Sequence, residues 1–197
     1  MASDADLTIG ADGRSRCWWC GDDGDYVRYH DEDWGTPMHG DRELFELLTL
    51  EGFQAGLSWI TILRKRAAFQ QAFEGFDPQV VARYGDDDVE RLMADTGIVR
   101  NLAKVHATIG NARALLELHD GGRTLDDLVW TLGRHPDHER PSTIGDVPSH
   151  TPEALALSKE LKRLGFKFIG PTVVYAFLQS AGVVDDHLVG CWRSDVS

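Results

Sequence analysis

The feature that most constrains this chain is an apolar stripe at helical spacing that leads onto a carboxylate. Leu44, Leu47 and Leu48 lie on one face of a helix, and Glu51 takes the next position on that face. An unpaired carboxylate that faces a protein core costs on the order of several kcal/mol. Glu51 is therefore expected either to reach water or a cap at a helix end, or to line a pocket where it has a partner or a task.

The residues that follow Glu51 favour the pocket. Gly52 and Gly56 are poor residues for a helix interior, so they indicate a bend or a close approach of the backbone to a ligand. Phe53 and Trp59 would add aromatic walls. A carboxylate in an aromatic cleft suits a flat ligand with polar edges, such as a nucleobase.

Composition limits the classes of protein to which the chain can belong. With 197 residues, 42% of them hydrophobic, it can bury the core of a single domain. The acidic, aperiodic start predicts a disordered tail over residues 1–14, which leaves 15–197 as one helical domain. No segment resembles a signal peptide or a membrane-spanning helix, and three cysteines favour a reducing compartment. We therefore expect a cytoplasmic protein, and a monomer by default.

The net charge of −12 argues against indiscriminate binding to nucleic acids, because Lys and Arg supply most of the non-specific affinity for phosphates. The acidic residues are concentrated in residues 1–51, which hold 13 acids and 4 bases, so the rest of the chain carries only −3. Short basic stretches occur at 64–66, around Arg100 and Lys104, and from Lys159 to Lys167. Each of these alone is more often a solvated helix face than a binding site.

Cap and turn residues divide the chain into helices. Asp41 and Ser58 are typical N-cap residues, and Gly97 is expected to end a short helix as a left-handed C′ residue. No sustained period-2 alternation or hairpin dipeptide is evident, so no strand is expected. Residues 134–150 are expected to form a surface loop. The predicted fold is all-α with about eight helices, near 41–50, 58–73, from 77, 86–95, 101–119, 124–132, 151–165 and 171–181.

Both ends of the ordered sequence carry cysteine and histidine. His187 and Cys191 are four residues apart, so one helical turn would direct both side chains to a single point. Cys17 and His30 could complete a tetrahedral set of two thiolates and two imidazoles, which is typical of a closed, structural zinc site. Cys20 offers an alternative fourth ligand in place of His30, because Cys17 and Cys20 have the spacing of a zinc knuckle. Inert buried cysteines and hydrogen-bonded histidines are the simpler interpretation from spacing alone.

Several short motifs give the chain a specific resemblance. They lie between about residues 16 and 192: Arg16-Cys17, Tyr29-His30-Asp31, Trp34-Gly35, Leu50-Glu51-Gly52, Gln54 to Trp59, Gly97-Ile98, Ile109 to Ala112, Gly165 to Phe168, Asp186-His187 and Val189-Gly190-Cys191. On these motifs the chain resembles the 3-methyladenine DNA glycosylase I family, bacterial alkylation-repair enzymes of the helix-hairpin-helix glycosylase superfamily. The resemblance implies an all-α, helix-hairpin-helix fold with a zinc site that joins the two chain ends.

The resemblance also implies roles for individual residues. Glu51, as an ionised carboxylate, would be the catalytic residue, and the alkylated base would lie against Tyr29 and Trp59. The other implied residues are Trp19, Tyr26 and Trp34 beside the base; Gly97, Arg100 and Lys104 in or near a hairpin that holds a DNA phosphate; Gly56 and Leu57 at the gap left by the flipped-out nucleotide; and Cys17, His30, His187 and Cys191 around one structural zinc ion.

The implied activity is hydrolysis of the N-glycosidic bond of 3-methyladenine in alkylated double-stranded DNA, with free 3-methyladenine as the product. 3-Methylguanine is an open second substrate. A monofunctional enzyme without a lyase step is expected, since Lys65, the lysine nearest the Glu51 segment, lies beyond Trp59. Two alternatives are a zinc-stabilised DNA- or base-binding protein without turnover and a metallohydrolase. An iron–sulfur glycosylase needs four cysteines, and this chain has three.

Overall fold

The computed structural model describes residues 6–135 and 137–195, and these residues form nine α-helices. They are α1 (Gly24–Arg28), α2 (Asp41–Gln54), α3 (Trp59–Ala72), α4 (Pro78–Val81), α5 (Asp86–Ala94), α6 (Leu102–Asp120), α7 (Leu125–Leu132), α8 (Pro152–Arg163) and α9 (Pro171–Ser180). A π-helical turn, Tyr29–Asp33, continues α1. The prediction of a mostly helical protein is confirmed. None of the helices described is both long enough and apolar enough to span a bilayer.

The central helix is α2, which packs against α3, α6, α7 and α9. Every residue from Leu44 to Phe53 is buried, as expected for a helix that is surrounded by others. The helix runs on to Gln54, beyond its predicted end at residue 50. Gly52 therefore does not bend the chain. It allows close packing instead, since a Cβ atom at Gly52 would lie 3.5 Å from the carbonyl oxygen of Phe168.

A short β-hairpin precedes the helices, and it corrects the prediction of an all-α fold with a disordered start. Strand β1 (Leu7–Ile9) pairs antiparallel with β2 (Ser15–Cys17). The dipeptide Asp12-Gly13 is the hairpin signal that the prediction overlooked. Gly13 has φ +77°, and the Asp12 carboxylate accepts hydrogen bonds of 2.9 and 2.7 Å from the Arg16 guanidinium. The prediction of disorder was wrong for the segment from 7 to 14, and residues 1–5 lie outside those described.

A short hairpin, residues 95–101, joins α5 to α6. The Asp95 carboxylate accepts a hydrogen bond of 2.7 Å from the Gly97 N–H, and the Asn101 side chain caps α6. Gly97 is not the left-handed residue that was predicted, since its φ is not positive. A small residue is needed there for another reason. A Cβ atom would lie 2.9 Å from an Asp95 carboxylate oxygen and 3.0 Å from the Ala68 Cβ atom.

Candidate active site and metal centre

A cavity of about 240 Å³ lies between the end of α2, the start of α3 and α9. The five aromatic residues that the resemblance places around a base all line it: Trp19, Tyr26, Tyr29, Trp34 and Trp59. The ring centroid of Trp19 lies 5.2 Å from that of Tyr26 and 5.0 Å from that of Trp34. The centroids of Tyr29 and Trp59 are 5.6 Å apart on the other wall. The cavity therefore has the size and the flat apolar walls that suit one aromatic ring system.

Glu51 lines this cavity from the last turn of α2 and is only 3% exposed. Its Oε1 atom accepts a hydrogen bond of 2.9 Å from the Ser180 hydroxyl, which accepts one of 3.0 Å from the Tyr29 hydroxyl. The prediction that Glu51 lines a pocket is confirmed, and the alternative of a solvent-exposed helix end is wrong. Sequence reasoning missed Ser180, since it lies 129 residues away at the end of α9 and no motif marks it.

Burial controls the protonation of this site. The loss of hydration raises the pKa of Glu51 to about 8, and the Ser180 hydrogen bond only partly offsets that rise. Without a cation beside it, a pKa of about 8 favours the neutral acid at pH 7, and a cation next to Glu51 would favour the carboxylate. Burial and the nearby Glu51 also raise the pKa of Tyr29 well above its usual value, so its hydroxyl stays a donor.

A second feature of the cavity wall is a buried hydrogen-bond donor that has no acceptor among the described residues. The indole N–H of Trp59 is buried without a hydrogen-bond acceptor among the described residues. Buried indole N–H groups almost always have an acceptor. The free donor beside the cavity is consistent with a site that is completed by a ligand.

The cavity also has polar walls that sequence reasoning did not assign. Asp186 and Gln179 both line the cavity. In the sequence, Asp186 stood out only as part of the Asp186-His187 motif. Its carboxylate accepts hydrogen bonds from the Tyr175 hydroxyl and, at 2.6 Å, from the Gln179 side chain. It also lies 2.9 Å from the His138 Nε2 atom, which anchors the loop predicted at residues 134–150. This loop is therefore part of the site, and Ile144 contributes to the cavity wall.

A cluster of cysteine and histidine lies beside one wall of the cavity. Cys17, His30 and Cys191 are buried, and one potential ligand atom from each lies within 4.8 Å of the others. Hydrogen bonds from Cys17 and His30 lower the pKa of the Cys191 thiol, while the contact with Cys191 and burial raise that of Cys17. Cys17 and Cys191 are 174 positions apart in the sequence, and the structure brings them together with His30. A metal site that joins the two chain ends requires this proximity.

The fourth predicted ligand, His187, lies against the same cluster. Its ring centroid is 5.0 Å from that of His30, and its Nε2 atom is buried without a hydrogen-bond partner among the described residues. Its Nδ1 atom lies 2.8 Å from an Asp185 carboxylate oxygen, and the Nδ1 atom of His30 lies 2.9 Å from Asp31. A carboxylate behind each imidazole is the usual outer sphere of a metal-bound histidine. Cys17, His30 and Cys191 could therefore hold a metal ion, and His187 lies beside this group without being one of the three clustered ligands.

Cys20 is not part of this cluster. Its thiol is buried and points to the Gly21 carbonyl oxygen at 3.7 Å. The alternative ligand set with Cys20 in place of His30 is therefore not the one that the structure brings together.

Comparison with known proteins identifies the family. A family model described as methyladenine glycosylase matches residues 19–194. The chain belongs to the methyladenine glycosylase family. It is 47% identical to DNA-3-methyladenine glycosylase 1 of Escherichia coli (strain K12) over 177 residues, which are 89% of this chain and 95% of that protein.

Solved structures agree with this assignment. A crystal structure of 3-methyladenine DNA glycosylase I superposes with a TM-score of 0.86 and 44% identity, covering 90% of this chain and 98% of the other. A second structure concerns 3-methyladenine recognition by the Staphylococcus aureus 3-methyladenine DNA glycosylase I. It superposes with a TM-score of 0.82 and 37% identity, covering 86% and 91%.

Four of the five residues expected to contact DNA in this methyladenine glycosylase lie at or near the surface. Gly56 has φ +88°, which favours glycine, and Leu57 is 41% exposed at the tip of the loop between α2 and α3. Arg100 is exposed on the hairpin, where Gly97 is half-buried. The Lys65 ammonium donates hydrogen bonds of 3.1 and 2.9 Å to the Thr96 and Gly97 carbonyl oxygens and so supports the hairpin from α3.

Lys104 departs from its expected role. It is 8% exposed, and its ammonium donates hydrogen bonds of 3.0 and 3.1 Å to the carbonyl oxygens of Phe53 and Ala55 at the end of α2. Burial lowers the pKa of this group. Its positive charge lies against the negative end of the α2 dipole. The structure thus uses Lys104 to hold α2 and the following loop, so it is not a phosphate contact at the surface.

Proposed function

We propose that this protein is a DNA repair glycosylase that hydrolyses the N-glycosidic bond of 3-methyladenine in alkylated DNA. The observation that carries the proposal is the Glu51 carboxyl group, buried in an aromatic cavity of about 240 Å³. The names of the relatives in the family support the choice of substrate. Such a cavity admits a base only after the nucleotide has been flipped out of the duplex, at a cost of a few kcal/mol.

Recognition rests on the charge of the damaged nucleotide. Methylation at N3 makes adenine in DNA cationic, and such a ring gains about 0.5–2 kcal/mol from an aromatic face. Tyr29 and Trp59 form one wall for it. A cation beside Glu51 favours the ionised carboxylate and lowers the pKa of that group from about 8. Binding of the cationic base is thereby coupled to proton release, and the resulting carboxylate stabilises the charge and accepts hydrogen bonds from the exocyclic amine.

Bond cleavage needs little acid catalysis, because a cationic base is already a good leaving group, and water then attacks the anomeric carbon. We infer a monofunctional mechanism from the positions of two lysines. The ammonium groups of Lys65 and Lys104 are both hydrogen-bonded to backbone carbonyl oxygens outside the cavity. Neither is placed as the nucleophile of a Schiff-base step.

The test of the proposed function is base release. Purified protein is incubated with a methylated duplex, and the released bases are separated by chromatography against 3-methyladenine and 3-methylguanine standards. We expect free 3-methyladenine and intact strands that carry abasic sites. A protein that binds 3-methyladenine and the duplex but releases no base would contradict the proposal and favour the binding protein without turnover.

We further propose that Cys17, His30, His187 and Cys191 bind one structural zinc ion. The unpartnered Nε2 atom of His187 and the proximity of the other three ligand atoms support it. Four protein ligands would leave no position for a catalytic water, so the ion would stabilise the fold without taking part in hydrolysis.

We also propose that residues 95–101 act as a helix-hairpin-helix phosphate site, and that Arg100 and Lys104 differ in role. Arg100→Met should reduce the salt dependence of duplex binding by about one phosphate contact and leave the free energy of unfolding unchanged, since Arg100 is exposed. Lys104→Met should leave the salt dependence unchanged. It should lower the free energy of unfolding by about 1–3 kcal/mol, because the buried Phe53 carbonyl loses its donor.

Fluorescence anisotropy at a series of salt concentrations and urea denaturation measure the two effects in this matched pair. If Lys104→Met reduced the salt dependence of duplex binding and left the free energy of unfolding unchanged, Lys104 would contact a DNA phosphate, as first predicted.

A further inference from the structure

A second cavity lies behind the hydrogen-bonded chain that holds Glu51. This rear cavity has a volume of about 310 Å³, and its walls come from the π-helical turn, the segment that follows that turn, α2, α3 and α9. Tyr29 and Ser180 line the rear cavity and also the base cavity, the one that contains Glu51. These two side chains, whose hydroxyl groups are hydrogen-bonded to each other, therefore stand between the two cavities.

The rear cavity opens to solvent. Glu32 and Asp33 are exposed at its mouth, whereas Leu47 is buried at its floor. A cavity of this size with polar groups around it holds water. The two carboxylates make the mouth attractive to a proton. The positive charge of Arg66, which also lines this cavity, is paired with Glu46 at 2.6 Å.

The hydroxyl chain connects Glu51 to this space. The Ser180 oxygen lies 2.9 Å from the Glu51 Oε1 atom and 3.0 Å from the Tyr29 hydroxyl oxygen, and all three side chains are buried. A hydroxyl group both donates and accepts, so the same two hydrogen bonds can run toward Glu51 or away from it. A base in the base cavity would cover Glu51 on that side. The chain then offers a route from the carboxyl group to water on the other side.

We propose that Ser180 and Tyr29 form a proton path, which carries the proton of Glu51 to water in the rear cavity when a cationic base binds. The inference rests on the proposed function. Glu51 gives its proton to the Ser180 oxygen, Ser180 gives its own hydroxyl proton to the Tyr29 oxygen, and Tyr29 gives its hydroxyl proton to water. Each hydroxyl group gains one proton and loses one, so Glu51 is the only side chain of the path that changes its charge.

Other titratable side chains face this path, and the proposal requires none of them to change its protonation. From the base cavity they are Cys17, Tyr26 and Asp186, and from the rear cavity Glu32, Asp33, His39 and Arg66.

The path has a measurable consequence for the rate at which a cation enters. Because the pKa of Glu51 is about 8, about one molecule in ten holds it as a carboxylate at pH 7. Without the path, a cation could enter only those molecules. With the path, it can enter all of them, because the proton leaves as the base arrives.

The inference can be tested with Ser180→Ala and Tyr29→Phe, each of which removes one hydroxyl group of the path. Thr108→Val is the matched control, since it removes a buried hydroxyl group that donates 3.0 Å to the Lys104 carbonyl oxygen within α6. The probe is 3,9-dimethyladeninium, a cationic purine without a glycosidic bond. Stopped-flow tryptophan fluorescence follows its entry, a pH indicator in weakly buffered solution follows proton release, and thermal unfolding reports on the fold.

In the wild type and in Thr108→Val, we expect proton release to keep pace with base entry. Ser180→Ala and Tyr29→Phe should each slow entry about tenfold at pH 7, and the difference should narrow above pH 8 as the ionised fraction of Glu51 grows. The double variant should be no slower than the single variants, because either change breaks the path.

Unchanged entry rates in both single variants would overturn the inference. A slowing that is equal at every pH, or that adds up in the double variant, would also overturn it, because altered packing would then explain the effect. Failure of the proposed function would look different. In that case the wild-type protein itself would release no 3-methyladenine from methylated DNA.

Discussion

Glu51→Gln is expected to reduce release of 3-methyladenine from methylated DNA by about 10²–10³-fold while the fold is retained. The amide side chain would keep the shape of the native one, and its carbonyl oxygen could still accept the hydrogen bond from Ser180. It would lack the negative charge that stabilises a cationic base and the positive charge that develops on the sugar. The loss should fall on the rate of the chemical step measured in single turnover, with duplex affinity nearly unchanged.

The pH profile separates this role from a structural one. The wild-type kcat/KM reports the free enzyme, in which Glu51 has a pKa of about 8 and must lose its proton for the cation to be accommodated. We expect kcat/KM to rise with pH up to about 8 and then level off, and to be flat for the Glu51→Gln variant over the same range. An identical profile in both proteins would remove Glu51 from the mechanism.

The same residue should destabilise the wild-type protein as the pH rises. The pKa of Glu51 is about 8 in the folded state against 4.5 in the unfolded state, so the folded state binds more protons between these values. The associated stability is present below pH 4.5 and is lost on approach to pH 8. Relative to the Glu51→Gln variant, the wild type should lose about 3 kcal/mol of its free energy of unfolding between pH 4 and pH 7.

Urea denaturation of both proteins at several pH values measures this difference, in which the contributions of all other groups cancel. Glu117→Gln, on the exposed face of α6, is a matched control for the replacement of one glutamate by glutamine. If the wild type and the Glu51 variant respond to pH in parallel, the carboxyl group is not buried as described.

The second large effect is expected on removal of the metal. Cys17 lies at the end of β2 and Cys191 near the last described residues, so a zinc ion would link segments that are distant in sequence. A ligand present at a thousand times its Kd stabilises the folded state by about 4 kcal/mol. Chelation should therefore lower the Tm by roughly 8–16 °C. Base release should be lost only as the fold loosens, because Cys17 and Leu188 line the cavity.

Matched variants assign the ligands. His187→Ala and Cys191→Ser should lose the stoichiometric zinc that elemental analysis detects in the wild type, and should show the Tm of the chelated protein. Cys20→Ser should retain both the metal and the Tm, since its thiol lies outside the cluster. If chelation abolished base release without any change in Tm, the ion would be catalytic and the metallohydrolase alternative would be favoured.

Much of the secondary structure could be predicted because helix signals are local. Ser58 is the N-cap of α3, as predicted, and α6 begins directly after Asn101. The N-cap of α2 is Gly40, so the prediction for Asp41 was wrong by one residue, and the Asp41 carboxylate instead accepts hydrogen bonds from the N–H groups of Leu125 and Asp126. The errors arose where tertiary contacts override local preference. Gly52 remains inside α2 because the loop before α9 packs against it, and Gly97 is required for close packing and not for its φ.

The sequence by itself determined which chemical groups can meet a ligand. An acid on an apolar helix face needs a partner or a pocket, because an unpaired buried carboxylate is destabilising. Cysteines and histidines at both chain ends are the residue types that bind a structural metal ion. Only the tertiary structure decided their state. It buried Glu51 and raised its pKa, it supplied Ser180 as the hydrogen-bond partner of that residue, and it withdrew Lys104 from the surface. Burial and long-range hydrogen bonding depend on atoms far apart in sequence, so no local pattern encodes them.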